Sequence, residues 1–253
     1  SYIKNISTSS NLLQSAYKLS NQLGKSFGVL SFVNSENDIA IQDAELKQQM
    51  DKLSLNAVFL SVQSQTIDGL KDICESKEVS FLFLQLTDYT SKSIQRLLKA
   101  CRELRIPYVL FKDDFALLNP DKVIIPVNFL EEEIEKAQFA SAFGRFCNAD
   151  VKILLANDYG SKAANTAERM KELFDKFDFS YSLVKAQKDS FGVDKEAVHL
   201  AANENAGIII VTASREYGLD DIIFGPKELH LVKKANKPVL LINPRADLYA
   251  LCD

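Results

Sequence analysis

Short apolar runs alternate with segments of helical apolar spacing along nearly the whole chain, and this alternation occurs twice. In the first half the runs are GVLSFV (28–33), NAVFLSV (56–62), SFLFLQL (80–86) and YVLF (108–111). In the second they are KVIIPV, VKILLA, FSYSLVK, GIIIVTA and PVLLI. Between them lie segments such as Leu12, Ala16, Leu19 and Leu23, or Ala163, Ala167, Met170, Phe174 and Phe177, spaced for one helix face. Strands that alternate with helices predict a parallel sheet covered on both faces. ELRIPYVLF and KANKPVLLI are the clearest equivalents, with Pro107 and Pro238 standing 131 residues apart.

The expected fold class is therefore α/β, with two tandem doubly wound parallel-sheet domains of Rossmann-like type packed as a pseudo-dimer. The polar, turn-rich KDDFALLNPDK (112–122) reads as the linker. The expected domains are residues 1–114 and 121–245, followed by a tail at 246–253. YIKNI (2–6) reads as a short or edge strand. The acidic run Glu131 to Glu133 opens a helix, where carboxylates complement the dipole and need no further role.

Composition narrows the function classes. A net charge of -4 disfavours nucleic acid or an anionic membrane as the main partner. No apolar run approaches the roughly 20 residues that span a bilayer, and SYIKNISTSSNLL lacks the apolar stretch of a signal peptide. A cytoplasmic protein is expected. Cys74, Cys101 and Cys147 fall on apolar helix faces without metal-ligand spacing and read as buried thiols, whereas Cys252 falls in the tail. His199 and His230 lie in helices with no ligand partner at metal spacing. Phosphate-loop, dinucleotide, zinc-protease and nucleophile-elbow motifs are all absent from the sequence, and no acid–base pair or nucleophile supports an enzyme.

The stretch IIIVTASREYGLDDIIFGPKELHLVKKANKPVLLI resembles the C-terminal half of a universal stress protein domain, a fold of the adenine nucleotide alpha hydrolase-like type. That family closes its fourth strand with a Gly-x2-Gly-x9-Gly-(Ser/Thr) loop, enters a helix and returns through a Pro-Val-Leu strand. VIIPVNFLEEEIEKAQFASAFGRF resembles the family's opening strand, turn and helix. The resemblance covers residues 122–245 and extends more weakly over the first half through element order.

In members that bind ATP, the glycines let backbone approach the phosphates, the next helix offers amide N–H groups, and an aspartate after the first strand holds the nucleoside. Here the aspartate position is Asn128, the first two loop glycines are Thr212 and Arg215, and only the third is kept, as Gly225. Pro226 follows it and has no N–H to donate. Each hydrogen bond to a charged group contributes about 1.5–3 kcal/mol, so these departures point to a degenerate pocket. The resemblance thus implies a non-catalytic stress-response protein without a cofactor, acting through a protein partner or as a homo-oligomer. The alternative is a sensor of ATP or AMP using Asn128, Thr212, Ser214, Arg215 and Gly225, with Arg215 clamping phosphate and the two hydroxyls donating. In the first half only TDYTSKS separates Leu86 from the helix bearing Ile94, too short for such a loop.

Overall fold

The computed structural model describes residues 1–214 and 226–245. The chain divides into two compact units, Ser1–Leu118 and Asn119–Asp253.

The first unit carries strands β1 (Tyr2–Ile3), β2 (Gly28–Val33), β3 (Phe59–Ser64), β4 (Leu82–Leu86) and β5 (Tyr108–Lys112). Between them run helices α1 (Ser10–Gln22), α2 (Ile39–Lys52), α3 (Leu70–Ser76) and α4 (Ser91–Cys101). Its strands lie in the order β3-β2-β1-β4-β5, every described pairing parallel. All residues of β4 and β5 are buried, in keeping with mainly apolar runs in a helix-covered parallel sheet. Thr90 caps α4 by accepting from the Ser93 N–H at 3.3 Å, so that helix starts where its apolar spacing starts.

The second unit carries β6 (Lys122–Val127), β7 (Asp150–Leu155), β8 (Tyr181–Lys185), β9 (Ile208–Thr212) and β10 (Val239–Ile242). Its described helices are α5 (Lys136–Cys147), α6 (Lys162–Asp175), α7 (Val193–Asn203) and α8 (Lys227–Lys234). The strand order is β10-β9-β6-β7-β8, again parallel throughout. Counted from the first strand of each unit, both sheets run 3-2-1-4-5, so the repeat in the sequence is a repeat in topology. The two prolines mark it atom for atom. The Leu82 N–H donates to the Pro107 carbonyl and the Ile209 N–H to the Pro238 carbonyl, each at 3.1 Å.

Four details depart from the expectations. The opening strand is only Tyr2–Ile3 and lies inside its sheet, between β2 and β4, rather than at an edge. It ends there because the Gln85 side chain takes the next two amides, Lys4 N–H and Asn5 N–H, both at 2.8 Å. The strand expected at 56–62 is shifted to Phe59–Ser64. Ile67, expected to open the third helix, lies in a 3₁₀ turn, Ile67–Gly69, that precedes α3. Lys112, expected in the linker, is the buried last residue of β5. The tail 246–253 lies outside the described residues. Cys74, Cys101 and Cys147 are buried, as their helix positions imply.

Candidate functional site

In the second unit the strand order reverses between β9 and β6, and ligands of open α/β sheets are received at the carboxyl ends of strands at such a point. Asn128 follows β6 directly, Thr212 ends β9, and Ser214 lies two residues further on. The register Val123↔Ile208 and Ile124↔Ile209 brings these ends side by side. Arg215 and Gly225 lie outside the described residues.

Asn128 is buried and engaged in its own turn. Its Oδ1 accepts from the Leu130 N–H at 2.8 Å, and its N–H donates to Glu133 Oε2 at 3.3 Å. This is the Asx geometry that turns the chain out of β6, and it ties the buried side-chain oxygen to the Leu130 amide. Thr212 is 1% exposed, and its hydroxyl has no hydrogen-bond partner among the described residues. Ser214 gives both its N–H and its hydroxyl to Glu228, the hydroxyl at 3.1 Å.

Charged side chains to which the sequence reading gave no site role fill out this end of the sheet. Glu133 and Lys136 are an ion pair at 2.5 Å with both side chains 0% exposed. The Lys136 ammonium also donates to the Pro126 carbonyl at 2.6 Å, tying the start of α5 to β6. Glu133 therefore does not sit in solvent at a helix opening. It lies in a 3₁₀ turn, Glu131–Glu135, and is buried because Lys136, three residues on, neutralises it. Removing one member of such a pair costs about 3–5 kcal/mol, since the other is left buried and alone. Glu135, in the same turn, is buried and accepts from the Arg245 N–H at 3.0 Å.

Across the switch point, Glu228 is 1% exposed at the start of α8. Burial raises its pKa above the usual carboxylate value, with the Ser214 N–H and its own backbone N–H pulling the other way. Lys227 reaches Asp194 on α7 at 3.5 Å. Burial works to lower the Lys227 pKa, but the carboxylates of Asp194, Glu133 and Glu228 together outweigh it and leave the ammonium raised. Four carboxylates, Glu133, Glu135, Asp194 and Glu228, and two ammoniums, Lys136 and Lys227, thus share this end of the unit. Glu133 Oε1 and Asp194 Oδ1 have no hydrogen-bond partner among the described residues.

The corresponding place in the first unit, between β1 and β4, is taken by Gln85. Its amide nitrogen donates to the Asn5 carbonyl, the Thr8 hydroxyl and Asp113 Oδ1 at 2.8, 3.0 and 2.9 Å. Among the described residues no group of three His, Cys, Asp or Glu side chains is placed to hold a metal ion, and no helix is long and apolar enough to cross a membrane.

Sequence reasoning missed Glu133, Lys136, Asp194, Lys227 and Glu228. Helical spacing assigns a charged residue to the solvent face, and only the opposite charge at i and i+3, Glu133 and Lys136, was there as a signal.

No protein-family model matches the chain, and none of the curated proteins matches its sequence. Solved structures do. A universal stress protein from Archaeoglobus fulgidus DSM 4304 superimposes with a TM-score of 0.68 at 14% identity, over 97% of this chain and 96% of that one. A putative universal stress protein from Pseudomonas aeruginosa UCBPP-PA14 gives 0.65 at 12% identity, over 99% and 94%. A functionally unknown protein from Pseudomonas aeruginosa PAO1 gives 0.62 at 11%, over 94% and 89%. The chain is thus an α/β protein with the fold of the universal stress proteins, its two units repeating one strand order.

Proposed function

We propose that this chain is a non-catalytic, universal-stress-protein-like binding protein of the cytoplasm, with domains at 1–114 and 121–245 and a degenerate nucleotide pocket in the second. It acts through a protein partner or a second copy of itself rather than through turnover. The observation that carries this reading is the state of Asn128. The residue in the nucleoside-holding position is buried, its side-chain oxygen closes its own turn and its N–H is held by Glu133. A nucleoside reaching that buried oxygen would have to open the turn that leads out of β6. An unmade hydrogen bond at a buried group costs about 1–3 kcal/mol, which weakens binding by roughly 5- to 150-fold.

Calorimetric titration of the full chain with ATP and with AMP tests this reading. The expected result is no measurable heat of binding at micromolar concentrations of either. Micromolar affinity for ATP would replace the interaction reading with that of a nucleotide sensor.

A further inference from the structure

Glu228 is the second residue of α8, and both its carboxylate oxygens face Ser214. Oε1 accepts from the Ser214 N–H, and Oε2 from the Ser214 hydroxyl at 3.1 Å. An amide at the end of a strand, a hydroxyl beside it and the start of a helix are the groups with which proteins receive oxyanions. Here an anion belonging to the chain already holds them. Lys227, which precedes Glu228, is committed too: it pairs with Asp194 at 3.5 Å and lies in the field of Glu133 and Glu228. Among the charges described at this end of the unit, the carboxylates of Glu133, Glu135, Asp194 and Glu228 outnumber the ammoniums of Lys136 and Lys227.

We propose that Glu228 is an internal anion that sets the specificity of the second unit, excluding phosphates and other oxyanions from Ser214 by standing in their place. The inference rests on the reading that this unit does not bind nucleotide, and it supplies a cause for it. A surplus carboxylate repels an incoming anion over the same short distances at which the Ser214 groups would have attracted it. In this account the loss of loop glycines is secondary, because both donors of Ser214 are already taken by Glu228.

The test uses the full chain and the variants Glu228→Ala and Glu228→Gln, with Glu131→Ala as a control that removes an exposed carboxylate from the same unit. Each is checked for folding by circular dichroism, then titrated calorimetrically with tripolyphosphate and with ATP. Glu228→Ala frees the Ser214 N–H and is expected to bind both ligands at least about tenfold more tightly than the wild type. Glu228→Gln loses the charge but keeps an oxygen for Ser214, and is expected to lie between the two. A folded Glu228→Ala that binds no more tightly than the wild type overturns the proposal, as does an equal gain in Glu131→Ala, which would reduce the effect to net charge. If Glu228→Ala does not fold, Glu228→Gln decides alone: a gain supports the proposal and none overturns it. Micromolar ATP binding by the wild type is a separate outcome, which removes the non-nucleotide reading itself.

Discussion

Glu228 also has a consequence for stability that can be followed through pH. Burial raises its folded pKa above the ordinary value of 4.5. The folded state therefore favours the protonated carboxyl, and the stabilisation this brings is complete below pH 4.5 and lost as pH rises through the raised value. Glutamine carries no charge at any pH and keeps one acceptor for Ser214. Glu228→Gln is expected to unfold at a higher temperature than the wild type at neutral pH, with the difference closing once pH falls below the ordinary carboxylate value. Thermal melts followed by circular dichroism at the two pH values check this, and a variant less stable at neutral pH would contradict it. At this scale the sequence was least legible. Glu133 sits in an acidic run that reads as a helix opening with no role beyond the dipole, yet its side chain is 0% exposed and paired with Lys136. Burial of a charge depends on a partner and on neighbouring elements, and neither enters a hydropathy pattern.

Elements were far more legible, and their failures have identifiable causes. The runs in β4, β5, β6, β9 and β10 are apolar at nearly every position because both faces of a helix-covered parallel strand are buried, and that pattern is not that of a solvated strand. β1 is different. Two residues are too few for a pattern, and what places and ends it is Gln85, some eighty residues away in sequence. Gly207, just before β9, shows a second kind of long-range constraint. A Cβ there would lie 1.5 Å from the Asn119 carbonyl oxygen, while the Gly207 N–H donates to the Lys122 carbonyl at 2.9 Å. Since the obstructing atom is backbone, no rotamer change relieves the clash. Gly207→Ala is expected to destabilise the protein by about 1–3 kcal/mol, measured by urea denaturation, by forcing β9 away from the start of β6. A change within experimental error would show that the strand entry is more compliant than its geometry implies.

For the molecule as a whole, the two units, each taken by itself, share the 3-2-1-4-5 strand order and the same proline-to-strand hydrogen bond. The fold relation to the universal stress proteins holds at 14% identity and below because it rests on element order and buried runs, which tolerate wholesale replacement of side chains. The candidate site has no such tolerance. Asn128, Thr212 and Ser214 stand at strand ends, where the sequence could place them, but their chemistry is set by Glu133 and Glu228, whose burial it could not show. The central claim is that the Ser214 donors of the second unit are occupied by the chain itself, through Glu228. The Ser214 amide reports on it most directly, by amide NMR of the isotopically labelled full chain. The account predicts a downfield-shifted, slowly exchanging Ser214 resonance that does not move when millimolar ATP is added. A Ser214 amide that exchanges freely in the unliganded protein, or one that shifts in step with added ATP, would contradict it.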